Sequence, residues 1–227
     1  MTNIDKGFNT LEEWMMEQIK PYGDSILNHY SIQEHKGFCP PYLGLQHLTT
    51  NKDGSGDIVQ YIPFPIQQIK SEIYQFIDYL LKNHNISNVL EIGLGDFGGL
   101  HFLFNQFFNN TTTIEINTNL VDRFKNSING YTIKNSNIIC HDSKTILLNE
   151  RYDLLFIDGD HHFDSCMNDH IKFMNNVDSG GVIAFHDSKN KDMGSAKYID
   201  TLRDKYQIFD IWDMESEYGG ISYYIQK

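Results

Sequence analysis

Val89-Leu90-Glu91-Ile92-Gly93-Leu94-Gly95-Asp96-Phe97-Gly98-Gly99 joins an apolar strand to a glycine turn and then to an apolar helix running from Gly98 to about Phe108. Glycine adopts positive φ without steric cost, so the chain can turn sharply here and bring its backbone close to a ligand. The first N–H groups of the helix then point at whatever is bound. By itself this spacing fits an ordinary strand-to-helix turn as well as it fits a nucleotide site. The surrounding pattern has to separate the two.

That pattern alternates. Candidate strands lie at Asn88 to Ile92, Thr111 to Ile116, Asn137 to Cys140, Asp153 to Ile157 and Gly181 to Phe185. Helical stretches fall between them at Gly98 to Phe108, Asn119 to Ile128, Ser143 to Leu148 and Phe163 to Asn175, with Ser195 to Tyr206 after the fifth strand. A helix from Ile66 to about Asn83, with Ile69, Ile73, Phe76, Ile77 and Leu80 on one face, leads into the first strand. Gln207 to Trp212 and Ile221 to Ile225 follow with no helix between them, which reads as a closing antiparallel hairpin. The expected fold is α/β: a Rossmann-like, doubly wound, mostly parallel seven-stranded sheet with a C-terminal antiparallel hairpin. Residues 66–227 form this domain, and residues 1–65 a helical and irregular extension.

The extension has apolar residues at helical spacing from residue 11 to about 30, then an irregular stretch from Gly37 to Pro65. Its Trp14, Tyr22, Tyr30 and Tyr42 are candidates for a lid or a dimer surface, so a homo-oligomer is one expectation. Asn51 to Asp57 is a polar turn whose spacing does not complete a calcium loop. A net charge of −12, with only three arginines, argues against nucleic acid as a partner. No run approaches the roughly 18 apolar residues that span a bilayer, and a cytoplasmic location is expected. Cys39, Cys140 and Cys166 match neither a disulfide framework nor a thiolate metal site and read as buried small hydrophobes.

Each of the five parallel strands ends in residues capable of chemistry. Glu91 lies just before the glycine turn, Glu115 ends the second strand, and His141-Asp142-Ser143 follow the third. Asp158-Gly159-Asp160-His161-His162 follow the fourth, and His186-Asp187-Ser188 the fifth. In a parallel sheet these ends share one edge, where ligands bind.

Over about residues 66–227 the chain resembles the class I S-adenosylmethionine-dependent methyltransferases. The matching pieces are Glu91-Ile92-Gly93-Leu94-Gly95, Glu115, Asp142-Ser143, Asp158, Gly180-Gly181 and the closing hairpin. The resemblance implies S-adenosylmethionine as cofactor, with Gly93 and Gly95 passing its methionine part and Phe97 of the same turn counted among the contacts. It implies that Glu115 accepts hydrogen bonds from the ribose hydroxyls, which suits a carboxylate facing a vicinal diol, and that Asp142 with Ser143 flanks the adenine. Glu91 either anchors the glycine loop or meets the methionine ammonium, and Asp158 serves both cofactor and chemistry. Phe156-Ile157-Asp158-Gly159-Asp160-His161 with Gly180 to Asp187 further resembles the sugar and natural-product O-methyltransferases akin to macrocin O-methyltransferase, with the cephalosporin-hydroxylase-like proteins as kin.

A hydroxyl is a poor nucleophile at neutral pH, so such an enzyme must align the oxygen and remove its proton. His161 is the expected base, its ordinary pKa near 6.5 suiting proton acceptance. Asp158, His186 and Asp187 are the expected metal set for Mg²⁺, which the resemblance implies. Hard Mg²⁺ prefers oxygen to imidazole nitrogen, so Mn²⁺, a site of Asp158, Asp187 and water alone, recruitment of Asp160, or no ion are the alternatives. The acceptor is expected to be a small polyhydroxylated molecule or glycan. A nicotinamide-dependent oxidoreductase also uses such glycines and such an acid, and a non-catalytic cofactor-binding module would share the fold. His170 reads as structural and Asp169 as a local cap or pair. Phe102, Phe104, Phe107 and Phe108 read as core, and Tyr218, Tyr223 and Tyr224 as strand residues.

Overall fold

The computed structural model describes residues 45–47, 58–60, 68–96, 98–127, 135–214 and 219–227. Two short strands, β1 (Leu45–His47) and β2 (Ile58–Gln60), pair antiparallel as a sheet of their own. The expected helix at residues 11–30, the polar turn 51–57, Cys39, Phe97, Tyr218 and the four extension aromatics lie outside the described residues.

The remainder alternates as expected: α1 (Lys70–Asn83), β3 (Asn88–Ile92), α2 (Gly99–Phe107), β4 (Asn110–Glu115), α3 (Thr118–Ser127) and β5 (Ser136–Cys140). There follow β6 (Tyr152–Ile157), α4 (Phe163–Phe173), β7 (Val177–Phe185), α5 (Gly194–Leu202), β8 (Phe209–Ile211) and β9 (Ile221–Ile225). The seven-stranded sheet runs in the order β5-β4-β3-β6-β7-β9-β8. Its first five strands are mutually parallel, while β9 pairs antiparallel with both β7 and β8.

Strand residues alternate between two cores because successive side chains point to opposite faces. Val89, Leu154, Phe156, Val182, Ala184 and Tyr223 pack under α1 and α2. Leu90, Ile92, Leu155, Ile157, Ile183 and Phe185 pack under α4 and α5. On α1 the residues Ile73, Phe76, Ile77 and Leu80 recur at helical spacing and are fully buried. Each such side chain contributes about 1.5–3 kcal/mol of burial, so packing rather than a side-chain cap holds this helix. On the opposite face His170 is a core residue, as expected: its ring nitrogens bond Tyr198 Oη at 2.5 Å and Tyr224 Oη at 2.7 Å. Burial lowers its pKa to about 4, so it sits there neutral.

Three expectations are corrected. Ser143 to Leu148 is a turn, not a helix: Thr145 and Ile146 donate their N–H groups to the Asp142 carbonyl, and Leu147 is 87% exposed. Ile146 and Leu148 pack only partly against the core, and a single turn does not propagate. β7 starts at Val177, four residues earlier than expected, because Val177 pairs with Tyr152 before the register shifts, with Gly180 at φ +86° in the irregular stretch. Cys140 is exposed on the edge strand β5, whereas Cys166 is buried, its thiol pushed up to about 12 by burial. No helix among the described residues is long and apolar enough to cross a membrane.

Candidate active site

The sheet register sets the polar strand ends side by side. Just past the paired residues, the Gly93 N–H donates to Ile114 O, the Asp158 N–H to Ile92 O, the His186 N–H to Ile157 O and the His141 N–H to Glu115 O, all at 2.9–3.0 Å. The crossovers after β3 proceed outward to β4 and β5, then return to the other side at β6, so these ends flank the point where the strand order reverses. A cavity of about 580 Å³ opens there, lined by seven carboxylates and a single lysine, Lys144.

At one end of the cavity the backbone sets the geometry. Gly93 has φ +96°, and a Cβ there would lie 2.3 Å from the Asp158 carbonyl oxygen, so two strand ends approach as only glycine permits. Gly95 follows at φ +65°. Glu115 is buried and lines the cavity; its Oε2 accepts the Leu94 N–H at 2.9 Å and its Oε1 the Asn117 N–H at 2.8 Å. Two amides thus fix the carboxylate against the glycine turn while leaving lone pairs free for a diol. The next residue, Ile116, is 67% exposed and lines the same cavity with Leu120, offering an apolar surface for a flat group. Asp142 and Ser143 line the neighbouring wall.

Glu91 is not among the lining residues. It shares the strand face of Val89, one residue out of step with Leu90 and Ile92, and so points into the α2 layer. There it accepts a hydrogen bond from the Thr113 hydroxyl and lies 3.8 Å from His101 Nδ1. Neither expected contact is seen: Glu91 faces away from the cavity, and the amide of the glycine loop at Leu94 is held by Glu115 instead. Burial holds the Glu91 carboxyl well above the ordinary range.

The other end is a cluster of ionisable groups. Asp158 Oδ1 accepts a hydrogen bond from His186 Nδ1 at 2.9 Å, and Oδ2 one from Gln68 Nε2 at 2.5 Å. Burial opposes charging of His186, but the carboxylates of Asp158, Asp187 and Glu72 outweigh it and lift its pKa to about 9. His161 Nε2 stands 3.3 Å from Asp187 Oδ2. Asp187 itself takes φ +51°, a conformation uncommon for a residue with a side chain, with its carbonyl held by the Ser195 hydroxyl at 2.7 Å. Asp160 turns aside to His162 and Ser165, whose hydrogen bonds lower its pKa to about 2. Asp158, His161 and Asp187 each offer a ligand atom, all within 4.8 Å of one another. Two carboxylate oxygens and one imidazole nitrogen fit a divalent ion such as Mg²⁺ or Mn²⁺. This trio differs from the expected metal set in one member. His186 is not among the three: its Nδ1 bonds Asp158, and its Nε2 is buried with no partner among the described residues.

Residues 105–188 match the family described as a methyltransferase domain. The match covers part of the sheet domain, and the strand order is that of the class I methyltransferase fold. Solved structures agree on that fold. An O-methyltransferase from Bacillus cereus in complex with SAH is 15% identical with TM-score 0.54, covering 69% of this chain and 80% of its own. A putative caffeoyl-CoA O-methyltransferase from Staphylococcus aureus is 18% identical with TM-score 0.54, covering 66% and 81%. The N-methyltransferase NodS from Bradyrhizobium japonicum, in complex with S-adenosyl-L-homocysteine, is 12% identical with TM-score 0.54, covering 67% and 84%. No curated protein matches the sequence.

Among the lining residues that the sequence reading did not place in the site are Gln68, Ile116 and Asp169. Gln68 sits ahead of α1, outside any motif, and is visible only once Asp158 is seen to need a second donor. Ile116 reads as the last residue of a strand. Asp169 did carry a signal: on α4 it falls in the buried stripe with Ser165, Cys166, His170 and Phe173, and a carboxylate in a core stripe asks for a partner.

Proposed function

We propose that the protein is an S-adenosylmethionine-dependent O-methyltransferase acting on a hydroxyl of a small polyhydroxylated molecule or glycan, with a divalent metal at the transfer end. The sign of the cavity carries this reading. Seven carboxylates facing one lysine suit a cofactor with a sulfonium and an ammonium, and oppose the pyrophosphate of a nicotinamide dinucleotide. Bound there, the cofactor supplies a methyl group already activated by positive sulfur. A Mg²⁺ or Mn²⁺ held by the oxygens of Asp158 and Asp187 and by water would lower the pKa of a chelated hydroxyl, leaving His161 beside it free of the ion.

The chain's own residues do the rest. Glu115 binds the ribose diol, and Ile116 with Leu120 covers an apolar face. Asp187 orients His161, whose imidazole takes the proton from the acceptor oxygen. Gln68 and His186 fix both oxygens of Asp158, so that the carboxylate presents one geometry to what it binds.

Calorimetry with S-adenosylhomocysteine and with NADH tests the cofactor: binding of the first and not the second is expected, and the reverse overturns the reading. An intact-mass screen of glycan and metabolite fractions then tests the transfer, with products about one methylene heavier expected and EDTA reducing their yield. Methylated amines without methylated hydroxyls would overturn the O-methyl assignment.

A further inference from the structure

Asp169 is 96% buried on α4, lines the cavity, and is tied to the neighbouring wall by a hydrogen bond from the Ser143 side chain. Its Oδ1 is buried with no hydrogen-bond partner among the described residues. A buried carboxylate oxygen left unpaired costs about 1–3 kcal/mol or more, so a ligand donor that reached it would recover that loss. The carboxylate comes in beneath the turn after β6: a Cβ on Gly159, another lining residue, would stand 3.8 Å from Asp169 Oδ2.

The neighbouring groups say what kind of donor arrives. Glu115 is the diol acceptor, and the exposed Ile116 one residue beyond it is the surface on which a flat ring would lie. Glu115 pairs with Cys140 across β4 and β5, which sets Ile116 beside the chain leading to Asp142 and Ser143. A base stacked on Ile116 therefore presents its edge to the wall formed by Ser143 and, behind it, Asp169. Resting on the cofactor reading above, we propose that Asp169 is a specificity residue for the cofactor's base: Ser143 holds its carboxyl group in place, and Oδ1 accepts an N–H from the exocyclic 6-amino group of the purine. Burial raises the Asp169 pKa, with the Ser143 bond working against it; the selectivity for the amine is that of the ionised carboxylate, which only accepts, so the comparison is made at alkaline pH. Asp142, held by the Lys144 N–H at 2.9 Å in the exposed loop, is the weaker candidate for that contact.

The test compares S-adenosylhomocysteine with S-inosylhomocysteine, in which a 6-oxo group replaces the amine, by calorimetry on the full chain. The wild type is expected to prefer the adenosyl ligand by about tenfold or more, since the 6-oxo analogue sets acceptor against acceptor. Asp169→Asn keeps the shape and can turn an amide N–H toward the 6-oxygen, so the preference should fall to within about threefold. Asp169→Ser carries the same comparison on a smaller side chain, and thermal melting confirms that each variant is folded. Equal binding of both ligands by the wild type, or an undiminished preference in the variants, overturns the role of Asp169. If neither ligand binds the wild type, it is the cofactor reading that fails.

Discussion

Two buried polar clusters in this molecule each bring a histidine close to a carboxylate, and they resolve the encounter in opposite ways. Behind the glycine turn, His101 Nδ1 lies 3.8 Å from Glu91, yet burial lowers the histidine to about 3 and raises the glutamic acid. At the far end of the cavity, His186 Nδ1 touches Asp158 at 2.9 Å and its pKa rises to about 9. The difference is one hydroxyl. Thr113 Oγ1 stands between His101 and Glu91, accepting from the first at 2.6 Å and donating to the second. That leaves His101 Nε2 as an acceptor for the Ser136 hydroxyl at 2.6 Å, so the whole chain is satisfied without a formal charge. No hydroxyl separates His186 from Asp158, and a second carboxyl, Asp187, lies 3.7 Å away. The neutral cluster fastens α2, β4 and β5 together; the charged one is arranged to act.

The largest expected effect lies in the charged cluster. His161→Gln should lower turnover by about 10²–10⁴-fold, the usual worth of a positioned base, while leaving the affinity for S-adenosylhomocysteine within about twofold. Steady-state rates with calorimetry check both halves. Full turnover in the variant would show that proton removal runs elsewhere, with Asp187 the next group to test.

Next comes pH. The folded pKa of His186 lies above the ordinary 6.5, so its contribution to stability is complete below 6.5 and disappears as pH rises through about 9. The lift is worth on the order of 3 kcal/mol. His101 contributes with the opposite sign: it is held neutral, so its share is present above 6.5 and lost as pH falls toward about 3. Glu91, raised above its ordinary 4.5, loses stability as pH rises in any variant that retains it. Urea unfolding of wild type and His186→Asn in EDTA should therefore show a stability difference that shrinks between 6.5 and about 9. A difference constant with pH would mean that the Asp158–His186 contact carries no charge.

The neutral cluster responds otherwise. Thr113→Val keeps the volume but strands Glu91 and His101 without their shared partner, for a loss of about 2 kcal/mol in urea unfolding. Its alkaline limb should match that of the wild type, because His186 is untouched. An unchanged stability would show that His101 and Glu91 pair directly once the hydroxyl is gone.

How much of this was legible in the sequence follows from the same physics. Strand parity and helical spacing gave the sheet, its closing hairpin and both cores, because every buried strand residue is constrained by its face. The strand-end residues were legible because parallel register carries them to one edge; Asp158, His161 and Asp187 meet there. What stayed hidden depends on contacts between distant segments. Gln68 reaches Asp158 across 90 positions of sequence, and the meeting of His161 with Asp158 and Asp187 depends on how the loops after β6 and β7 fold toward each other. The inward aim of Glu91 could have been read from its parity with Val89, but motif position drew attention to the loop instead.

The smallest effect probes the direction of the neutral chain. Ser136 is half-buried and donates to His101 Nε2, so Ser136→Ala removes one donor and leaves an acceptor that water can reach from the sheet edge. A loss of about 1 kcal/mol or less is expected, below that of Thr113→Val, because a solvated acceptor costs less than a buried unpaired one. The two variants combined should be less than additive, since both break one chain. Should Ser136→Ala cost as much as Thr113→Val, the histidine would hold its proton on Nε2. Thr113 would then donate to His101 and the Glu91 carboxyl to Thr113, which would reverse the direction of the chain.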